Sequence, residues 1–178
     1  VMWPAVMLKL LAGTDEKVEE WKKTFKKQLK NDQRKLSDDT DEIGIEVDKF
    51  VSTGDFNDVE DSVIKSQDID DVLKRLGAEA ALYASREELF ELPKTDYPQL
   101  VMVTKAFEPY KTMWALCGDF TNTVPQWMTG PFTSLDPEKM SNKIDNWYRA
   151  LLKIIKNLKG PPLTVGETLK GEIEDFRE

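Results

Sequence analysis

The chain has 178 residues, of which 40% are hydrophobic and 33% are charged, and its net charge is −8. A pI near 4.8 argues against a nucleic-acid partner, which needs a concentrated positive face. No apolar run approaches the roughly 20 residues that span a bilayer, so no membrane partner is expected either. The sequence has no histidine and one cysteine, Cys117, which excludes histidine-dependent nucleophiles, an intrachain disulfide and most zinc sites.

The first quarter of the chain predicts two helices. Residues 2–30 carry apolar side chains at spacings of three, four and eight, with Gly13 and Thr14 as candidate breaks. The polar segment 35–42 predicts a loop, from which Asp39 or Thr40 starts a short second helix. Ile43, Val47 and Phe50 are expected on the inward face of that helix. Gly54 is placed to end it, and Asp55 is placed to cap the next helix.

A long helix is predicted over 59–92, and Pro93 closes it because proline disfavours helical geometry in the residue before it. Thr95 or Asp96 is then placed to cap a third long helix that begins near Pro98 and runs to Trp127. Pro109 lies inside this helix. We therefore expect a bend between Lys105 and Pro109, where one backbone hydrogen bond is lost.

The strongest predicted helix start lies within the corner 128–139, where Trp127 and Phe132 are expected to pack inside the bend. Asp136 is placed as the N-cap, Pro137 as the first helical residue and Glu138 in the first turn. A coiled-coil-like stripe follows, with Trp147 at its centre, and it contains Met140, Ile144, Leu151, Ile154, Ile155 and Leu158. Thr164 and Glu167 form a capping box that predicts a last helix with Leu169, Ile173 and Phe176 facing inward.

Residues 19–30 place Trp21, Phe25 and Leu29 on one side of a helix and five lysines largely on the other. Two interpretations fit this pattern. A packed helix with its lysines toward water is the commoner one. The alternative is a basic amphipathic helix that binds calmodulin or an anionic membrane surface. Trp114, Trp127 and Trp147 could likewise mark a ligand pocket, but their helical spacing favours core packing.

No catalytic, cofactor or metal site is predicted. Neither the Walker A run nor the dinucleotide-binding glycine run occurs, so the chain by itself is expected to have no ATPase activity. The acidic clusters 37–42 and 68–71 lack the ligand spacing of a calcium loop. Asp70 and Asp71 lie in no apolar pocket that would raise a pKa for acid catalysis.

Two proline-containing signatures flank an aromatic helix. The first contains Leu89, Phe90, Leu92, Pro93, Tyr97, Pro98 and Leu100; the helix contains Tyr110, Lys111 and Trp114; the second contains Trp127, Met128, Pro131, Phe132, Leu135 and Asp136. The order of these residues resembles that in the dynein heavy chains, and the sequences of the two signatures are more similar to axonemal than to cytoplasmic members. The helical stripes and caps predict an all-α, elongated bundle of long amphipathic helices joined by short corners that contain proline or glycine, with Trp147 in its core.

The resemblance implies a division into domains and a role. Residues 1–92 would be the C-terminal part of the tail helical bundle, and residues 93–178 the start of the linker. The linker lies across the AAA+ ring of the same heavy chain and transmits the ATP-driven power stroke toward the microtubule minus end. ATP and magnesium are expected only in that ring, and microtubules only at the stalk, both outside this chain. Other dynein subunits are expected to contact the tail. The expected location of the chain is the cytoplasm and its cytoskeleton, and more narrowly the axoneme of a cilium or flagellum. A spectrin-like or calmodulin-responsive scaffold is the alternative.

Overall fold

The computed structural model describes the backbone of residues 3–131 and 135–177, and the side chains of this range from residue 14 onward. The described residues form five α-helices and no strand, so the all-α prediction is confirmed. The helices are α1 Trp3–Val51, α2 Val59–Leu89, α3 Pro98–Thr129, α4 Pro137–Ile154 and α5 Pro161–Asp175. Short 3₁₀ turns at Phe56–Asp58 and Ile155–Asn157 precede α2 and follow α4.

The molecule is extended. Its accessible surface is 12,550 Å², whereas a compact protein of this mass exposes about 8,800 Å². Much of the excess comes from α1, which has 49 residues and at 1.5 Å per residue is about 73 Å long. Helices of this length need neighbours for stability, and α1, α2 and α3 pack pairwise against one another, whereas α4 and α5 pack together beside α3.

Aromatic side chains join α1 to α3 at the centre of the core. The ring of Phe50 lies 6.0 Å from that of Phe107 and 6.3 Å from that of Trp114. Trp114 is fully buried, and a side chain at Gly54 would meet both Trp114 and Pro162 at 3.4 Å. These are ordinary van der Waals distances, so the loop after α1 lies in contact with α3 and α5.

The loop predicted at 35–42 does not exist, because α1 is continuous from Trp3 to Val51. Leu36 in this segment is 1% exposed, and the hydroxyl of Thr40 donates a 2.6 Å hydrogen bond to the Leu36 carbonyl. Burial of these residues against α2 and α3 outweighs the weak preference of Asp and Thr for helix ends. Asp39 and Thr40 are thus interior helical residues, whereas Ile43, Val47 and Phe50 are buried as predicted.

The helix predicted over 59–92 ends earlier, at Leu89. Glu91 adopts a left-handed φ of 53°, and the Leu92 amide donates a 2.8 Å hydrogen bond to the Glu87 carbonyl. This is the Schellman arrangement, which satisfies carbonyls that a helix end leaves free. The chain is therefore already out of the helix three residues before Pro93. At the preceding loop the Asp55 carboxylate accepts from the Asn57 amide at 2.9 Å. Asp55 therefore caps the 3₁₀ turn Phe56–Asp58 and not α2, whose N-cap Asp58 forms no side-chain cap.

The last helix also begins earlier than predicted. Helix α5 starts at Pro161 after Gly160, which has a φ of 63° and gives no side-chain cap. The first backbone N–H groups of a helix have no acceptor within the helix. Proline, which has no N–H, therefore loses no hydrogen bond in the first turn. Thr164 lies inside the helix, where its carbonyl accepts from the Thr168 hydroxyl at 3.0 Å, so the predicted capping box is wrong. Leu169 and Ile173 are fully buried and Phe176 is half-buried, as the stripe predicted.

Helix α3 runs without interruption through Pro109 and Pro125. The bend expected between Lys105 and Pro109 stays a prediction. The inward stripe of this helix is confirmed by the burial of Phe107, Tyr110, Trp114 and Cys117.

The packed-helix interpretation of residues 19–30 is wrong for two of its three apolar residues. Trp21 is 61% exposed and Phe25 is 54% exposed, whereas Leu29 is buried. Every described side chain from residue 14 to residue 28 is exposed, because this end of α1 extends beyond the ends of α2 and α3.

Candidate functional site at the corner between α3 and α4

The corner begins where α3 ends at Thr129. The Gly130 amide donates a 2.9 Å hydrogen bond to the Gln126 carbonyl, and a Cβ at position 130 would lie only 2.6 Å from that oxygen. Glycine is therefore required at this close approach. Pro131 follows as an exposed residue. Phe132, which the sequence placed inside the bend, lies outside the described residues.

The outgoing helix starts as predicted. The carboxylate of Asp136 accepts a hydrogen bond of 3.2 Å from the Lys139 amide, and Pro137 occupies the first turn. The Lys139 ammonium lies 3.0 Å from the other carboxylate oxygen. Together these contacts hold the pKa of Asp136 below its ordinary value, so the cap is charged at neutral pH and favours the helix N-terminus.

Asp119 connects α3 to α4. Its Oδ2 accepts a 2.8 Å hydrogen bond from the indole of Trp147, and its Oδ1 lies 2.9 Å from the Lys143 ammonium. The Thr123 hydroxyl donates to the same Oδ1 at 3.2 Å and accepts from Lys143 at 3.1 Å. The ammonium also lies 5.2 Å from the centre of the Trp147 ring. One carboxylate thus fixes both the position and the ring orientation of Trp147.

Desolvation of the Asp119 carboxyl by itself raises the pKa, but the hydrogen bonds from Lys143 and Trp147 outweigh it. The pKa of Asp119 therefore lies below its ordinary value, and the group is ionised at neutral pH. A carboxylate accepts hydrogen bonds more strongly than a neutral acid, so ionisation strengthens the α3–α4 link.

Aromatic rings pack around Trp147 beneath this link. Trp147 is 3% exposed, which agrees with its predicted place at the centre of the α4 stripe. Its ring lies 5.5 Å from Phe120 and 5.6 Å from the half-buried Trp127, and Phe120 lies 6.0 Å from Phe176 of the α5 end. These contacts join α3, α4 and the end of α5 in one cluster, as expected for large aromatics at a helix junction.

The α4–α5 pair has its own polar contacts. The Tyr148 hydroxyl donates a 2.8 Å hydrogen bond to Glu174, and the Arg177 guanidinium lies 4.4 Å from the centre of the Tyr148 ring. Arg177 also pairs with Asp145 at 3.2 Å. A groove of about 650 Å³ lies beside these residues and is lined by Leu135, Pro137, Met140, Ser141, Ile144, Asp145, Phe176 and Arg177.

A second network organises the turn between α2 and α3. The Glu87 side chain is 3% exposed and accepts hydrogen bonds from the Thr95 amide at 2.9 Å, from the Thr95 hydroxyl and from Gln33 of α1 at 2.6 Å. Burial by itself raises the Glu87 pKa, but these hydrogen bonds lower it below the ordinary value. Thr95 therefore ties the loop to α2 and does not cap α3, whose N-cap Tyr97 forms no side-chain cap.

The predicted residues of this turn differ in burial. Phe90 and Tyr97 are half-buried against the core, whereas Pro93 and Pro98 are exposed. Leu89 is 78% exposed, although the helical period of the segment 59–92 predicts it on the inward stripe. The helical spacing of apolar residues in α2 extends to Leu89, but the buried core ends before this residue, because α3 starts only at Pro98, after the loop.

The third predicted group lies in the central core. Tyr110 is 5% exposed and Trp114 is fully buried, which confirms core packing for Trp114. The neighbouring Lys111 reaches across to α2, where its ammonium lies 3.0 Å from Asp70. Asp70 also pairs with Lys74 at 2.7 Å, so this carboxylate is part of a helix-packing ion pair.

The structure thus brings Trp127, Pro131, Asp136 and Trp147 to the corner. It places the predicted residues of the α2–α3 turn and those of the central core in two separate parts of the bundle. Sequence reasoning missed Asp119, Lys143 and Glu87. One signal was present for the first, since Asp119 is a lone acid in the otherwise apolar and neutral stretch 112–125. Glu87 gave no such signal, because it lies among other charged residues.

Within residues 14–131 and 135–177, no group of three His, Cys, Asp or Glu side chains is placed to hold a metal ion. None of the described helices is long and apolar enough to cross a membrane. The corner itself is a junction of packed rings and ion pairs.

Comparison with known proteins identifies a family for the C-terminal part of the chain. Residues 100–178, which include α4, α5 and almost all of α3, match the family model described as "Dynein heavy chain, N-terminal region 2". The chain belongs to the N-terminal part of the dynein heavy chains.

Curated dynein relatives extend the match toward the N-terminus. Human dynein axonemal heavy chain 3 is 32% identical over 119 residues, or 66% of the chain, and human dynein axonemal heavy chain 1 is 30% identical over 100 residues, or 55%. Rat dynein axonemal heavy chain 12 is 26% identical over 159 residues, or 88% of the chain. The dynein segment spans only 2–5% of the length of these relatives.

Proposed function

We propose that this dynein segment is the region that joins the tail bundle to the start of the linker, and that it transmits the power stroke without catalysing a reaction. The observation that carries the proposal is the α3–α4 corner. Asp119, Lys143, Trp127 and Trp147 hold two helices at one angle through ion pairs, hydrogen bonds and ring contacts. A lever arm needs such junctions, because an angle held by several contacts resists bending under load better than an unsupported loop.

The family match supports the linker half of this proposal, since it begins at residue 100, close to the boundary expected at residues 92 and 93. In the proposed arrangement residues 1–92 belong to the tail and residues 93–178 to the linker. The linker part would contact the AAA+ ring of the same heavy chain. ATP and magnesium would bind only in that ring, and microtubules only at the stalk.

The names of the relatives support an axonemal place of action, on the cytoskeleton of a cilium or flagellum. The tail side would contact other dynein subunits. A scaffold with no motor role is the alternative function, and one observation favours it, namely the exposure of Trp21 and Phe25 on a lysine-rich helix. AAA+ motifs downstream of residue 178 would exclude that alternative.

The proposal is tested in the parent heavy chain with Asp119→Asn, which removes the charge that binds Lys143 and keeps the side-chain volume. We expect microtubule gliding velocity to fall more than basal ATP turnover, because the arm is softened and the distant ATP sites are untouched. Asp71→Asn, at an exposed position of α2, is the matched control and should alter neither rate. Equal loss of both rates in Asp119→Asn would indicate general unfolding, and retention of both would remove the corner as a mechanical element.

Phe132→Ala tests the same corner at a residue that the sequence places inside the bend. The expected result is again a larger loss of gliding velocity than of ATP turnover. A Phe132→Leu variant is the control, because it keeps an apolar side chain of similar size at the position.

A further inference from the structure

The apolar stripe of α1 continues past the end of the core. Val18, Trp21, Phe25 and Leu29 follow one another at spacings of three, four and four, which places them on one face of the helix. Leu29 is 3% exposed, but Phe25 is 54% and Trp21 is 61% exposed. The described part of this stripe, from residue 14 to residue 28, extends for about four helical turns, or roughly 22 Å.

The end of α2 turns this face into a groove. The groove has a volume of about 310 Å³ and is lined by Phe25, Gln28, Leu29, Arg86, Leu89 and Phe90. Leu89 is 78% exposed at its edge. We call this feature, together with Trp21, the Phe25–Leu89 groove. It lies where α2 ends beside α1, so its floor is the same α1 face that α2 and α3 cover farther along the chain.

The charge along this exposed stretch of α1 is divided: residues 15–20 contain four acidic residues and one lysine, and the positive charge is confined to the turns next to the groove. Residues 21–30 contain five lysines and no acidic residue, whereas the whole chain has a net charge of −8. Lys22 pairs with Glu19 at 2.7 Å, and the Lys26 ammonium lies 5.9 Å from the centre of the Phe90 ring. Among the described residues no carboxylate lies within 4.0 Å of the ammonium groups of Lys23, Lys26, Lys27 and Lys30. Arg86 adds a further cation, 3.8 Å from Asp32.

We propose that the Phe25–Leu89 groove binds an acidic amphipathic α-helix of a partner protein. The occupant is a helix because the covered part of the same stripe, at Leu36, Ile43 and Val47, is already packed by helices. A partner helix would continue the course of α2 along α1 and place its apolar residues, at spacings of three and four, over Trp21 and Phe25. Its Asp and Glu residues would flank that stripe and meet the lysines.

An anionic membrane fits these observations less well than a protein helix. The groove is concave, and Glu88 and Glu91 stand beside it as exposed residues of the α2 end. The rest of the chain carries excess negative charge, which a flat anionic surface would repel. A narrow helix can contact the lysine-rich turn of α1 and avoid most of that charge. The proposal concerns the tail end of the segment, so it is independent of the mechanical role proposed for the α3–α4 corner.

The test uses the 178-residue chain and two designed 21-residue helical peptides with a leucine stripe, one flanked by glutamates and the other by lysines. Fluorescence anisotropy of the labelled peptides measures binding. We expect the acidic peptide to bind and the basic peptide not to bind at the same concentrations. Trp21→Ala with Phe25→Ala should weaken acidic-peptide binding at least about tenfold. Raising the salt concentration should weaken it as well.

A charge reversal makes the test specific. In the variant with Lys22, Lys23, Lys26 and Lys27 all changed to Glu, preference should switch to the basic peptide. Lys153→Glu with Lys156→Glu, which changes exposed lysines elsewhere, should leave acidic-peptide binding unchanged. Circular dichroism of each variant checks that the helices are retained. The four changes also make the whole chain more negative, so Lys153→Glu with Lys156→Glu must show no comparable gain of affinity for the basic peptide.

Three results would overturn the proposal. Equal binding of both peptides would show that the groove binds apolar helix faces without selecting for the charge of the partner. Binding of vesicles containing phosphatidylserine, with no binding of the acidic peptide, would assign the surface to a membrane. Self-association of the chain in sedimentation equilibrium that Trp21→Ala with Phe25→Ala abolishes would show that a second copy covers the groove.

Discussion

The indole nitrogen of Trp147 donates a 2.8 Å hydrogen bond to Asp119, which lies 28 positions earlier in the chain and on another helix. The donor belongs to a ring that is 3% exposed, whereas the Asp119 side chain is 47% exposed, so the contact lies at the boundary between the core and the solvent. This single contact therefore joins the polar and apolar parts of the α3–α4 corner, because the same indole packs against Phe120 and Trp127.

Trp147→Ala should destabilise the protein strongly. The substitution removes a buried ring from the centre of the cluster, and we expect the free energy of unfolding to fall by about 3–5 kcal/mol. Urea unfolding followed by circular dichroism measures the change. Trp21→Ala is the matched control, because Trp21 is 61% exposed and its loss should change the free energy by no more than about 0.5 kcal/mol. Similar losses in the two variants would contradict this assignment of the core.

Asp119→Asn should change how stability depends on pH. The pKa of Asp119 is lower in the folded chain than its ordinary value, so its contribution is complete above about pH 4 and is lost as the pH falls through the folded pKa. The Asp119 side chain is 47% exposed and water screens its charge, so at pH 7 we expect the variant to be less stable than the parent by only about 0.5 kcal/mol. The difference should shrink when both are unfolded in urea at pH 3. A difference that stays constant between the two pH values would show that the lost charge is not the cause.

Glu87→Gln should loosen the turn between α2 and α3. Glu87 is buried and accepts hydrogen bonds from Thr95 and Gln33, and a neutral amide can replace them only in part. We expect the free energy of unfolding to fall by about 2 kcal/mol. Hydrogen exchange should also rise at the Thr95 amide, whose acceptor is weakened. Glu88→Gln, at the adjacent exposed position, is the control and should leave both measurements nearly unchanged.

The thiol of Cys117 should not react in the folded protein. Burial raises the pKa of Cys117 to about 12, so only about one thiol in ten thousand is ionised at pH 8, and the thiolate is the reactive form. Ellman's reagent should give no signal in buffer and one equivalent in guanidinium chloride. Met102→Cys provides a positive control, since position 102 is 68% exposed. Rapid reaction of the native parent protein would mean that the α3 core opens readily.

Several elements could be predicted from the sequence because their causes are local. The start of α4 depends on Asp136, Pro137 and Lys139, which lie within four positions, so cap chemistry alone identifies it. The inward stripes of α3 and α4 were predictable for the same reason, since a helical period over many residues needs no knowledge of the neighbours. The prolines and aromatic residues that carry the family resemblance also follow one another within one continuous stretch of sequence.

Other features depended on which elements meet. The polar segment 35–42 remains helical because Leu36 and Thr40 are buried against other helices, and no local propensity contains that information. Trp21 and Phe25 have the pattern of core residues, yet they are exposed because α2 ends beside them. Asp119 and Glu87 became junctions through contacts with residues 28 and 54 positions away. The sequence by itself determined where most helices form, whereas tertiary packing decided which of their faces are covered, because burial is a property of two surfaces together.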